Sequence, residues 1–121
     1  MTEPIRAPGK TTIAPEVLVT IVRLTVLNTP GVSRLATLPT DVERLFNKSA
    51  GEGLKVSVEG DAVYADIYVI LNPDVNVRDV GRNIQAQVSR AISEMVGMEV
   101  GRVNVHIEDI DYSPAPVKTG D

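Results

Sequence analysis

VRDVGRNIQAQVSRAISEMVGMEVGRVNVHIEDI, residues 77–110, holds the two hydrophobic periods of a folded domain in immediate succession. Val77, Val80, Ile84, Val88, Ala91, Ile92 and Met95 recur at steps of three and four, so they share one helical face. Arg78, Asp79, Arg82, Asn83, Gln85, Gln87 and Arg90 fill the opposite face. Gly97 supplies the left-handed residue that ends a helix. Val103, Val105 and Ile107 then alternate with Arg102, Asn104, His106 and Glu108, the period of two that marks a half-buried strand.

Upstream of this run, Asn76 is placed to cap the helix, with Asp79 three residues on as in a capping box. Asn72-Pro73-Asp74 breaks what precedes it. Two alternating segments follow in reverse: Val63, Ala65, Ile67, Val69 and Leu71, and before them Leu54, Val56 and Val58. Gly60-Asp61 between them is a two-residue turn, so the pair is a β-hairpin with one buried face. Strand, helix and strand from Val63 to Ile110 predict a right-handed crossover onto one sheet.

Further upstream the signals are shorter. Asn47–Gly53 is a loop, and Pro39-Thr40-Asp41 starts a short amphipathic turn carrying Val42, Leu45 and Phe46. Val32–Leu38 is either a strand or an extended connection. A helix is predicted from Pro15, a residue at ease in the first helical position, to Leu27, ahead of Pro30-Gly31. Val17, Leu18, Val19, Ile21, Val22, Leu24, Val26 and Leu27 cover most of its circumference, which predicts burial on more than one side. One side goes to the sheet and the other to a neighbouring helix or a second copy of the chain.

The predicted fold is therefore α+β: a two-layer sandwich in which a small mixed β-sheet is covered on one face by helices. Residues 9–111 form one domain between an N-terminal tail, 1–8, and a C-terminal tail, 112–121. With 121 residues the chain can bury about two-thirds of its unfolded surface, enough for one core. That core is aliphatic, because there is one Phe and no Trp.

Composition excludes several functions. The absence of cysteine removes disulfides, thiolate chemistry and Cys-based zinc sites. A net charge of −4 argues against non-specific binding to nucleic acid or anionic lipid. Met1–Thr12 lacks the apolar run of a secretory signal. No apolar run approaches the roughly 20 residues of a membrane span. The expected location is cytoplasmic, with any membrane association made through a partner rather than by insertion.

No catalytic, cofactor-binding or metal-ligating set is marked. His106 is the single histidine, with no second ligand or nucleophile in pattern, and its expected role is a structural or surface one. Glu108, Asp109 and Asp111 lack the spacing and glycine turn of a calcium loop. Gly51-Glu52-Gly53 and Gly97–Gly101 lack the pattern of a phosphate loop. Tyr64 and Tyr68 lie on the open sheet face, where aromatics can stack single-stranded bases, but Asp66 between them favours packing or a protein contact. Arg78, Arg82 and Arg90 make a partly basic helix face that suits either solvent or an acidic partner. The candidate interaction residues are Val19, Arg23 and Val26 on the first helix, Tyr64 and Tyr68 on the sheet, and Arg78 and Arg82 on the second helix.

Order and spacing carry a further signal. Gly9-Lys10-Thr11-Thr12-Ile13-Ala14-Pro15-Glu16-Val17, Pro30-Gly31-Val32, the strand Val63–Leu71 and the run Val80–Ile110 together resemble the alkaline-shock, Gls-type general-stress family of bacterial envelope-stress proteins. Within the last run the resemblance rests on Ile84-Gln85, Ala91-Ile92, Met95, Gly97, Glu99-Val100 and Val103-Asn104-Val105. The chain departs from that pattern at Ala14, where a Ser-type cap is usual, and at Asn72-Pro73, where Tyr-Gly is usual. The resemblance implies a non-enzymatic protein of cell-envelope homeostasis that self-associates and docks to a membrane-anchored partner. It implies no cofactor and no catalytic residues. Two other functions fit the residues: a small RNA-binding module using the open sheet face, and a regulator of a soluble metabolic enzyme.

Overall fold

A computed structural model describes residues 9–37 and 53–113. The expected short helix at Pro39–Phe46, most of the loop before Gly53, the N-terminal tail and all of the C-terminal tail beyond Ser113 lie outside the described residues.

Helix α1 spans Pro15–Leu27, as its proline start predicts. Leu18, Val22 and Val26 recur every four residues and are its buried row. Strand β1, Val32–Leu35, follows the Pro30-Gly31 turn, so the first four residues of the segment left open by the sequence are a strand. Strands β2, Leu54–Glu59, and β3, Ala62–Leu71, form the expected hairpin. Gly60 has a φ of +63°, which a two-residue turn with glycine in its first central position requires. Helix α2, Val77–Arg90, begins where the Asn76 side chain accepts the backbone N–H of Asp79 at 3.0 Å. Its last turns, Ala91–Val96, widen into a π-helical segment that ends at Gly97, φ +77°. Strand β4, Glu99–Ile110, then runs parallel to β3.

The sheet has four strands and only three rows. β4 lies along one edge of β3 over its whole length. The other edge is shared end to end: β2 pairs with Ala62–Ile67 and β1 with Val69–Leu71, both antiparallel. The joint falls at Tyr68, whose N–H donates to the Gly53 carbonyl and whose carbonyl accepts the Ala36 N–H, each at 2.8 Å. Both helices cover one face. Leu18, Val22 and Val26 of α1 and Val80, Ile84, Val88 and Ile92 of the second helix pack on Leu54, Val63, Ala65, Ile67, Val69, Leu71 and Val103. This is the predicted α+β two-layer sandwich with a mixed sheet.

Three residues expected on buried faces stand outward, the first of them Val58 beside the hairpin turn. Val77 opens α2 and is exposed. Met95 is 69% exposed, while Val96 packs on the core. A π turn carries more residues than an α turn, so the residue four beyond Ile92 faces inward and the one three beyond does not.

Candidate functional site

Three outer surfaces carry the candidate residues, and the fold keeps them apart. The first is the outward side of α1. Pro15 starts the helix without a side-chain cap, and the Val17 N–H bonds the Ala14 carbonyl at 2.9 Å. Thr25 and Thr29 return their hydroxyls to the carbonyls of Ile21 and Thr25 at 2.7 and 2.9 Å, so they add no unpaired polar group. Away from the buried row, Val17, Leu24 and Leu27 stand exposed, Leu24 by 52%. Here the structure corrects the sequence reading. Val26, expected at the interaction surface, is 0% exposed and belongs to the core. Val19 is half-buried against that core and Arg23 is half-buried beside it. An almost uniformly apolar helix conceals which of its stripes faces inward. The outward stripe is Val17, Leu24 and Leu27.

The second surface is the open face of the sheet. Tyr64, Asp66 and Tyr68 project from β3, and Arg102, Asn104 and His106 from the neighbouring β4. The parallel register sets Tyr68 beside His106, and the rings stack at 4.3 Å with 12° between their planes. Lys55 lies 5.8 Å from the Tyr68 ring centre. Asp66 Oδ1 accepts from Asn104 Nδ2 at 3.0 Å and meets His106 Nε2 at 3.2 Å. Burial pushes the Asp66 carboxyl up, but the bonds from Asn104 and His106 and the nearby charges of His106 and Lys55 bring it below its usual value. The Tyr64 ring lies over Gly101, so close that a Cβ there would collide with it. Both tyrosine rings thus serve packing within the face. His106 is engaged by Tyr68 and Asp66, an arrangement that orients an imidazole and supplies no nucleophile beside it.

The third surface lies between α2 and the outer edge of β4. Arg78 and Arg82 stand there on exposed turns of the helix, Arg82 at 3.5 Å from Asp79. They wall a groove of about 280 Å³ whose other side is Val105 and Ile107. Gln85 reaches across and donates to the Val103 carbonyl at 3.2 Å. Sequence reasoning named the two arginines and missed the strand edge beside them. No local pattern marks that edge, because the alternating run from Val103 to Ile107 is matched residue for residue by Ala65–Val69 of β3. A larger groove of about 480 Å³ separates the end of α1 from the π segment, between Thr25, Asn28, Gln87, Arg90, Glu94 and Met95. Among the described residues no three His, Asp or Glu side chains converge as a metal site, and no helix is long and apolar enough to cross a membrane.

The profile of the alkaline shock protein 23 family, described by its cell envelope-related function, matches residues 4–112. The uncharacterized protein Spy1535 of Streptococcus pyogenes serotype M6 is 36% identical over 110 residues, covering 89% of this chain and 84% of that one. The uncharacterized protein YqhY of Bacillus subtilis is 27% identical over 106 residues, covering 86% and 78%. Among solved structures, the copper form of the MamM CTD superposes with a TM-score of 0.58, covering 84% of this chain and 92% of that one. Its zinc form with D249N superposes at 0.55, covering 88% and 89%. At 14% and 16% identity these likenesses carry the fold alone.

Proposed function

The chain belongs to the alkaline shock protein 23 family, whose function is related to the cell envelope, and from that premise we propose that it is a non-enzymatic protein that self-associates and docks to a membrane-anchored partner. The observation that carries this reading is the outward stripe of α1. Val17, Leu24 and Leu27 are exposed on a helix whose opposite side already fills the core. Scattered single aliphatics on a surface need no explanation, but three on one side of one helix form an apolar strip that water covers at a cost. An apolar segment of a membrane-anchored protein that emerges beside the bilayer has the chemistry to cover it, as helix-in-groove contacts do elsewhere.

The test is an affinity pull-down of the tagged chain from its native cells, with soluble and membrane fractions kept apart. The wild type is expected to retain an integral membrane protein, and Leu24→Glu to lose it while keeping its circular dichroism. Retention of the same protein by Leu24→Glu would remove α1 from the interface. Recovery of RNA alone would favour the RNA-binding alternative. The open sheet face lends that alternative little support, since Tyr68 is already stacked on His106 and Asp66 sits at the centre of the face.

A further inference from the structure

β4 is an edge strand with a self-complementary sequence, and we propose that it pairs antiparallel with β4 of a second copy about a two-fold axis at Val105. The inference deepens the self-association just proposed and rests on it.

The backbone decides which residues can pair. Tyr68 spends its N–H and carbonyl on Gly53 and Ala36, on the side of β1 and β2. Its neighbours Ile67 and Val69 therefore turn theirs toward β4, where the parallel register gives them Asn104 and His106. Val103, Val105 and Ile107 then point their backbone groups to the outer edge. The bond from Gln85 to the Val103 carbonyl on that side agrees with this assignment. Among the described residues no strand covers this edge. An uncovered row of N–H and carbonyl groups is a template for another strand.

Side chains then choose the partner and the register. The ladder with β3 is regular from Arg102 to Ile107 and skips Gly101 and Glu108, so Glu108 stands at the irregular end of the stretch. With the axis at Val105, Val105 meets its own copy, and Val103 meets Ile107 of the second copy on the helix side. On the open side Asn104 meets His106 and Arg102 meets Glu108, an opposite-charge pair made twice. Moving the axis by one residue, to Asn104, sets Arg102 against His106 and leaves Glu108 without a cation opposite. The charges therefore favour Val105, where each residue that faces outward also has its backbone in position to bond. Gly81 on the groove wall has open space around it and leaves room for the second strand. The Val103 carbonyl can keep Gln85 and accept a second donor, since it has two lone pairs. The breaks at both ends confine the pairing to a short window. A two-fold contact of one patch with itself closes as a dimer and does not propagate.

Sedimentation equilibrium of the full chain tests this. Val105→Pro removes an N–H that β3 does not use, so the fold should persist while the dimer dissociates. Arg102→Glu is expected to weaken dimerisation by about tenfold or more, because two attractive pairs become repulsive. Adding Glu108→Arg to Arg102→Glu should restore it. This reciprocal rescue decides the matter even if the proline variant fails to fold. A wild-type dimer left unchanged by all of these variants would overturn the β4 pairing and leave self-association standing elsewhere. A wild-type chain that stays monomeric at the highest soluble concentration would overturn both.

Discussion

The Ser33 hydroxyl donates to Asp111 Oδ2 at 2.7 Å, tying the first strand to the residue just past the last strand across 78 positions of chain. Arg34 Nη1 bonds the same oxygen at 2.8 Å, and the Ser113 N–H bonds Oδ1 at 3.0 Å. The Asp111 N–H in turn donates to the Leu71 carbonyl at 2.7 Å. One carboxylate thus holds β1 and the end of β4 around the end of β3, the strand between them.

This clasp makes acid stability testable. The bond from Ser33, then those from Ser113, and then the charge of Arg34 lower the Asp111 carboxyl from 3.8 to about 2. A depressed carboxyl binds its proton less readily in the folded chain than in the unfolded one. Its stabilisation is therefore complete above about pH 4 and is lost as pH falls toward 2. Asp111→Asn is expected to melt at lower temperature than the wild type at pH 7, and the gap is expected to close between pH 4 and 2. Thermal melts followed by circular dichroism across that range measure it. A gap independent of pH would mean that the carboxylate charge does nothing for the fold.

The joint between β1 and β2 supplies a second prediction. Gly53 has a φ of +74°, and a Cβ there would lie 2.5 Å from the Ala36 carbonyl oxygen and 2.7 Å from that of Tyr68. Both obstacles are backbone in the ladder, so neither can rotate aside. Gly53→Ala is expected to cost about 3 kcal/mol, from the left-handed conformation and the displaced backbone together. Gly60 is the control: its φ is +63°, but nothing lies within 4 Å of its added Cβ. Gly60→Ala should cost only about 1–2 kcal/mol, from the positive φ alone. Equal losses in urea unfolding would show that the close approach at Gly53 relaxes freely.

How far the sequence could be read follows from which features are local. Pro15 and Pro30-Gly31 bracket α1, Gly60-Asp61 marks the hairpin turn, and Asn76 marks the start of α2, each by its own backbone chemistry. Two strands sharing one edge of β3 is not local information. It depends on Gly53 meeting Ala36 and Tyr68, and no residue pattern near Gly53 announces them. The candidate surface was harder still. Val26 and Leu24 are both aliphatic and two residues apart, yet one is core and the other exposed. Only the packed partner of a helix distinguishes its stripes when nearly all of them are apolar. β4 itself was legible, as an alternating run. The direction of its backbone groups was not, because Tyr68 on the next strand sets it.

The end of the second helix gives the sharpest contrast between pattern and packing. Counting in threes and fours from Ile84 predicts Met95 on the core face. The π segment turns Val96 there instead and leaves Met95 69% exposed. The Gly97 N–H donates to the Ile92 carbonyl at 3.0 Å, closing the five-residue step that a π turn requires. Met95→Ala should therefore change stability by no more than about 0.5 kcal/mol, as a surface substitution does. Val96→Ala should cost about 1–2 kcal/mol, because it removes methyl groups that touch the core. An α-helical end would reverse the order, since Met95 would then carry the packing. Urea unfolding of the two single variants is enough to decide, and a larger loss from Met95→Ala would show that the helix keeps its α register to Gly97.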